Sequence, residues 1–296
     1  MDWFQAVVLG IIQGLTEFLP ISSSAHLRIV PELLGWPDPG APFTAVIQIG
    51  SEIAIIVYFA KDIGRIVHAW ARSLVNRQAL RGDDVVVVAS KGGGGNHRRP
   101  LTWDPFDARL GWYVIVGTLP IVVFGVLLKD VVENEFRSLW IVGATFVVLG
   151  IVLWLADRLG ARDRPIRSLV LSHALLIGIA QIGALVPGVS RSGATISMAL
   201  FLGYERTAAA RFAFLLAIPA VLGAGFFEWP AAIGADAVYD LGPMLLATVV
   251  SFLVAYGVIA WLFWWLQTRT YTPFVVYRIV GGLVILGLLS TGTLSP

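Results

Sequence analysis

Apolar runs long enough to cross a bilayer recur along this chain, separated by short polar connections. A spanning helix needs roughly 20 mostly apolar residues. Six segments qualify: 42–60, 109–128, 138–157, 206–227, 241–266 and 273–290. Two further regions are apolar but interrupted. Each has a first half (about 3–19 and 168–186), a break containing Pro20 or Pro187, and a short second half (about 21–34 and 190–203). At 1.5 Å per residue, a second half of about 14 residues reaches only about 21 Å, too short to cross. Both regions are therefore expected as re-entrant helical hairpins, with a full eight-span topology as the alternative. Broken backbone at that depth is tolerated only under cover of protein or a water-filled cavity.

The two interrupted regions also share a polar pattern. Shifted by 168 residues, Gly10, Ile11, Gln13, Ser22 and Ser24 fall on Gly178, Ile179, Gln181, Ser190 and Ser192. The expected fold is an all-α integral membrane protein, with six transmembrane helices plus two re-entrant hairpins arranged as an inverted repeat. It forms a single membrane domain over 1–296. Repeat 1 runs over about 1–157 (hairpin 3–34 and the first three spans), and repeat 2 over about 168–290 (hairpin 168–203 and the last three). Three spans per copy is an odd number, which inverts the second copy. Broken helices in paired positions point to a site between the repeats.

Composition agrees with a polytopic membrane protein: 57% hydrophobic and 14% charged residues, with a mean hydropathy of +0.80, lie outside the soluble range. The absence of cysteine excludes thiol catalysis, disulfides and cysteine metal sites. Met1-Asp2-Trp3-Phe4 has no basic n-region and the first cation is Arg28, so no cleaved signal peptide is expected. The net charge of +2 is small and its cations sit mainly in loops, where they report orientation and not nucleic-acid binding.

The 61–109 connection carries nine cations against five acids, 157–167 carries Arg158, Arg162, Arg164 and Arg167, and the 267–278 turn carries Arg269 and Arg278. The 129–137 and 228–240 connections are acidic on balance. The positive-inside rule assigns the first group to the cytoplasm and the second to the outside. Both termini and the mouth of the first hairpin are then external, and the second hairpin enters from the cytoplasm. Residues 82–100, with the run Gly92-Gly93-Gly94-Gly95, are expected as a flexible cytoplasmic insertion. They lack the spacing of a phosphate loop.

The candidate chemistry lies in the hairpins. Gln13 and Glu17, four apart, share one helical face near its C-terminal end. Pro20 ends that helix. Ser22, Ser23 and Ser24 precede the second half-helix, where serine is a preferred N-cap, and His26 follows in or near its first turn. In the second hairpin Pro187-Gly188 turns the chain, Ser190 is the expected cap, and Arg191, Ser192 and Thr195 occupy the first turns. Two half-helix N-termini thus point into the protein, where they would favour an anion such as phosphate. Arg191 adds a donor that can grip two phosphoryl oxygens. This is a parts list for phosphoryl chemistry: Arg191 and N–H groups for developing charge, His26 or Glu17 for a proton, and Ser23 or a water as nucleophile. Bland roles stay open. Glu17 could simply pair with Arg191, His26 could be interfacial, Ser22, Ser24 and Ser192 could be caps, and Gln13 and Gln181 could satisfy broken backbone. Glu52, an acid inside an apolar span, either supports the site or serves packing alone. His68, His97 and His173 fall in or near loops and earn no role.

Residues 13–26 (Gln-Gly-Leu-Thr-Glu-Phe-Leu-Pro-Ile-Ser-Ser-Ser-Ala-His) and 187–195 (Pro-Gly-Val-Ser-Arg-Ser-Gly-Ala-Thr) resemble the two signatures of the bacterial undecaprenyl-diphosphate phosphatases of the bacitracin-resistance type. The resemblance continues through 46–51, 214–219 and 273–278, covering almost the whole chain except 82–100. It implies hydrolysis of undecaprenyl diphosphate to the monophosphate, recycling the lipid carrier for peptidoglycan and conferring bacitracin resistance. It implies a multi-pass protein of the bacterial cell membrane with its site on the external side. The implied catalytic residues are Glu17, Ser23, His26 and Arg191. The resemblance places diphosphate contacts at Gln13, Ser190, Arg191 and Thr195, and the half-helix N-termini add Ser22, Ser24 and Ser192 as candidate contacts. A divalent cation, Mg²⁺ or Ca²⁺, would support activity, with Glu17 as its candidate protein ligand. Gln13 stands where many members carry glutamate, so the cation is expected to arrive with the diphosphate. The implied partners are a polyprenyl diphosphate lipid and membrane lipid, with no nucleic acid; oligomeric state is left open.

The rival class is a transporter or lipid flippase, which shares inverted repeats and broken helices. The acid-phosphatase-like lipid phosphatases need K-x6-R-P, P-S-G-H and S-R-x5-H-x3-D segments. The first two are absent, and Ser190-Arg191 has no matching histidine.

Overall fold

The capping box at Asp2 and Gln5 starts the first helix, α1 (Trp3–Thr16), in a computed structural model that describes residues 2–75, 104–133, 136, 138–233 and 240–294. It is followed by α2 (Ser23–Leu34), α3 (Gly40–Tyr58), α4 (Ala60–Val75), α5 (Pro105–Leu127), α6 (Lys129–Glu133) and α7 (Leu139–Leu159). The second half contains α8 (Leu171–Ile182), α9 (Arg191–Phe201), α10 (Arg206–Ile233), α11 (Leu241–Leu266) and α12 (Thr272–Ser290). No strand occurs among the described residues beyond an isolated bridge between Arg164 and Tyr204. Among the described residues six helices, α3, α5, α7, α10, α11 and α12, are long and apolar enough to span a membrane. They coincide with the six predicted segments to within a few residues, except that α10 runs on to Ile233. The outward faces of these helices are apolar, with Val126, Leu127, Phe226, Trp264 and Leu253 more than half exposed. A surface of that kind is stable in lipid and not in water. The chain is a multi-pass membrane protein.

The interrupted regions fold as two helix–turn–helix pairs. α1 stops three residues short of Pro20, and α2 ends at Gly35, whose left-handed φ of 67° closes the helix without a Cβ clash. α8 tightens into a 3₁₀ turn at Gly183–Leu185 before Pro187, and α9 gives way at Leu202 to Gly203. Packing follows a matched plan: α1 lies on α11, and α8 lies on α5. Glycines permit both contacts. A Cβ on Gly10 would come within 2.6 Å of the Ala247 carbonyl, and one on Gly178 would run into the Gly117 carbonyl oxygen. Those two glycines are 168 residues apart, the same shift that superimposes the hairpin sequences. In a bilayer, where apolar burial does not drive helices together, such close backbone approach is a main source of association. Between the pairs, α3 crosses α10 and α11, and α7 packs along α12.

One element was not foreseen, and one expectation needs correcting. The start of the 61–109 connection is the 16-residue helix α4, which buries Ile66, Ala69 and Ser73 and receives a hydrogen bond from the Trp112 indole to Ser73 at 3.1 Å. And Arg278, counted with the cations of the 267–278 turn, lies inside α12 and is completely buried. The other connections behave as charged ends. Asp62 pairs with Arg211 and Arg65 (2.9 Å), Arg65 reaches Asp107 (3.2 Å), and Arg206 holds Asp157 at 2.6 Å. These links join α4, α5, α7 and α10. The 82–100 insertion lies outside the described residues.

Candidate active site

Among the described residues three non-glycine residues have a left-handed φ, and two of them stand in the turns of the helix pairs. Ser22 and Ser190, again 168 apart, have φ of 69° and 70°. A non-glycine residue held there costs of order 1–3 kcal/mol and persists only when its surroundings over-determine it. Arg278 provides that determination. Its Nη1 donates to the carbonyls of Pro20 and Val189 (both 3.1 Å), its Nη2 to Gly188 (2.7 Å) and Thr145 (3.2 Å), and its Nε to Phe146 (3.3 Å). One guanidinium from α12 thus satisfies carbonyls from both turns and from α7. Carbonyls released by a broken helix need such partners away from water.

Held this way, the turns bring a polar cluster together. Glu17, just past α1, accepts the Ser23 hydroxyl at 2.5 Å and the Gln13 amide at 2.7 Å on Oε2. Its Oε1 receives Arg191 Nη2 at 2.6 Å. The same Nη2 donates to Glu52 Oε1 at 2.8 Å, while Arg191 Nη1 reaches the Ala217 carbonyl of α10 at 3.2 Å. Gln13 also donates to Ser51 on α3 at 3.2 Å. The serines repeat across the pairs: Ser22 and Ser24 hydroxyls are 3.2 Å apart, as are those of Ser190 and Ser192. Ser190 caps α9 by accepting the Gly193 N–H at 3.1 Å, whereas the Ser22 side chain makes no cap bond.

A cavity of about 230 Å³ opens at this cluster, walled by Glu17, Ser22, Ser23, Ser24, Ser190 and Arg191. Thr44 and Gln48 of α3, with small and apolar side chains from α3, α5, α6, α10 and the stretch 184–187, complete its lining. Four of the residues expected in the site stand outside that lining. Gln13 is fully buried behind Glu17. Ser192 donates to the Leu19 carbonyl at 3.2 Å and so ties one turn to the other. Thr195 is buried and donates back to the Arg191 carbonyl at 2.8 Å, within its own helix. His26 Nδ1 lies 2.7 Å from the Ser22 carbonyl and Nε2 lies 2.6 Å from the Tyr277 hydroxyl, with the two rings stacked at 8°. A carbonyl can only accept, so Nδ1 carries a proton, and in the neutral ring Nε2 accepts from Tyr277. Both imidazole nitrogens are engaged.

Sequence reasoning did not reach Tyr277, Ser51, the Arg278 network or the Glu52–Arg191 pair. Glu52 was visible as an acid within an apolar run; its partner was not. Among the described residues no three His, Cys, Asp or Glu side chains form a group suited to hold a metal ion. Among the described residues Glu17 is the one carboxylate in the cavity lining, and both of its oxygens are engaged. The acceptors Gln13 Oε1 and Glu52 Oε2 are buried without a partner. That donor set suits a hard cation only if the cation draws most of its oxygens from a bound phosphate.

Fold and cluster together define a class: a multi-pass membrane protein with a hydroxyl–carboxylate–guanidinium cluster at a small cavity, enclosed by apolar helices and suited to an anionic headgroup. The sequence profile described as Bacitracin resistance protein BacA matches residues 6–284, and the chain belongs to that family. A protein of a Nocardioides species named undecaprenyl-diphosphatase is 54% identical over 295 residues, covering 100% of this chain and 99% of the relative. Undecaprenyl-diphosphatase 2 of Streptomyces coelicolor is 48% identical over 308 residues (100% and 98%), and the undecaprenyl-diphosphatase of Micrococcus luteus is 46% identical over 299 (100% of each).

Proposed function

We propose that this chain hydrolyses undecaprenyl diphosphate to undecaprenyl phosphate and inorganic phosphate, with the chemistry at the Glu17 cluster. The observation that carries this reading is the 2.5 Å hydrogen bond from Ser23 to Glu17, whose other oxygen holds Arg191. A hydroxyl within reach of a base that is itself oriented by a third group is the signature of an activated nucleophile. At about 230 Å³ the cavity is below the 300–1,000 Å³ of ordinary ligand pockets. It suits a diphosphate headgroup, and the polyprenyl chain lies along the apolar helices outside.

In this mechanism Ser23 Oγ attacks the terminal phosphorus while its proton passes to Glu17 Oε2. The bond from that phosphorus to the bridging oxygen breaks, and undecaprenyl phosphate leaves. Water then attacks the phosphoserine, inorganic phosphate departs, and Ser23 regains its proton. Arg191 and the N-terminal amides of α2 and α9 face the phosphoryl oxygens, where charge spreads in the transition state. Gln13 acts through Glu17. His26, linked to Ser22 and Tyr277, steadies the start of α2. Glu17 would be the cavity carboxylate to help hold a divalent cation, Mg²⁺ or Ca²⁺, that arrived with the diphosphate, and the cation would offset diphosphate charge.

The repeated sequence, the matched α1–α11 and α8–α5 contacts and the paired turns support reading the fold as an inverted repeat with two re-entrant hairpins. Loop charges support an external site and cytoplasmic α4.

The test is phosphate release from undecaprenyl diphosphate by purified protein in detergent. Arg191→Ala and Glu17→Gln are each expected to lower kcat by roughly 10²–10⁴ in folded protein. Normal turnover in either variant would remove this mechanism. Ser23→Ala, with phosphoserine trapping in the wild type, separates serine attack from direct attack by water. EDTA is expected to stop the reaction and added Mg²⁺ or Ca²⁺ to restore it. Lipid movement across liposomes without phosphate release would instead make the chain a transporter.

A further inference from the structure

Glu52 is a fully buried acid that the steps above leave unused. It sits on α3 with Oε1 2.8 Å from Arg191 Nη2, and its Oε2 has no partner. Glu17 Oε1 takes the same nitrogen at 2.6 Å. Nη2 has two protons, so both are committed, and neither is free for a phosphoryl oxygen until one carboxylate lets go.

The two carboxylates are not equivalent. Glu17 lines the cavity and Glu52 does not, so an entering anion meets Arg191 on the Glu17 side. Glu17 also has other donors, Gln13 at 2.7 Å and Ser23 at 2.5 Å, to hold its charge once Arg191 turns away. Glu52 has none, and losing Arg191 would strand a charge inside the bundle, which is strongly unfavourable. Release from Glu17 is therefore the easier exchange. The unpaired Oε2 leaves room for Arg191 to grip Glu52 through two oxygens as it moves, the strongest arrangement open to that pair.

We propose, on the basis of the phosphatase reading above, that Glu52 is a positioning residue: the fixed anchor that keeps Arg191 at the cavity wall while its bond to Glu17 is exchanged for phosphoryl oxygens. In the empty site Arg191 is shared and the cluster is closed on itself. With substrate present, Glu17 is freed to serve Ser23. Without the anchor, Arg191 has only Glu17 to pair with, and the headgroup must compete for both.

Steady-state phosphate release by the full chain tests this, alongside size-exclusion and thermal-unfolding profiles. Glu52→Gln keeps shape and removes charge; kcat/KM is expected to fall roughly 100-fold, mainly through KM, as for a misplaced catalytic group. Glu52→Asp, which keeps the charge but sets it back, is expected to lose only about tenfold. A folded Gln variant within threefold of wild type overturns the anchor, and so does an Asp variant as impaired as the Gln variant. If Glu52→Gln does not fold, Glu52→Asp decides: about a tenfold loss at unchanged unfolding temperature supports the anchor, and activity within twofold of wild type overturns it. A wild type that releases no phosphate overturns the phosphatase reading instead. The anchor is then judged by binding of inorganic diphosphate, which Glu52→Gln should weaken tenfold or more, and equal binding overturns it.

Discussion

Gln13 shows how finely charge is balanced at the cluster. Its amide donates to Glu17 at 2.7 Å, a contact that glutamate would turn from a hydrogen bond into repulsion between carboxylates sharing one site. With Glu52 present, Gln13→Glu brings a third acid into the cluster, beside Glu17, and is expected to lower kcat/KM. Adding Glu52→Gln restores the original count, so the double variant should lose less than the two single losses combined. A coupling of about 0.5–3 kcal/mol in that direction is expected from the four kcat/KM values; simple additivity would mean the two positions do not share a charge balance. The same residues mark what was legible beforehand. Gln13, Glu17, Ser23 and Arg191 stood out because polar groups in an apolar helix break its pattern, and because the pattern occurs twice. Glu52 stood out too, but its pairing with Arg191 across α3 and α9 depends on tertiary packing. Arg278 was misread because α12 begins only six residues before it, which made a buried cation look like part of a charged turn.

Among the elements, the positions of the six long spans followed from apolar run length alone, though α10 runs on past its expected end. α4 did not, because it is too polar for a spanning-helix count. Its apolar residues Ile63, Ile66, Val67, Trp70 and Leu74 nonetheless recur at helical spacing, a signal that a period count would have found. The close contacts of α1 with α11 and of α8 with α5 carry their own prediction. Gly10→Val and Gly178→Val each push side-chain atoms into facing backbone, and overpacking of this kind typically costs about 1–3 kcal/mol or more. Both should lower the unfolding temperature in detergent, and by similar amounts, since the two glycines occupy matching places. A tolerated substitution at one position only would show that the two interfaces are not built alike.

For the molecule as a whole, the absence of cysteine makes orientation directly measurable, since a single introduced thiol is the only one present. Pro37→Cys, in the exposed link between α2 and α3, should react with an impermeant maleimide from outside intact cells. Ala161→Cys, exposed beyond α7, should react only after the cells are opened. The opposite result would invert the bundle and place the cavity on the cytoplasmic side. Whichever side it faces, its two turns are not mechanically separate. Arg278 bonds Pro20 in one and Gly188 and Val189 in the other, with α7 gripped by the same side chain. The turns are therefore tied together through one side chain. A carrier working by rocking one turn past the other would have to break and remake those bonds on every cycle, without water to take their place. Cutting a headgroup requires no such travel: it needs a rigid vise, and the jaws here are bolted together.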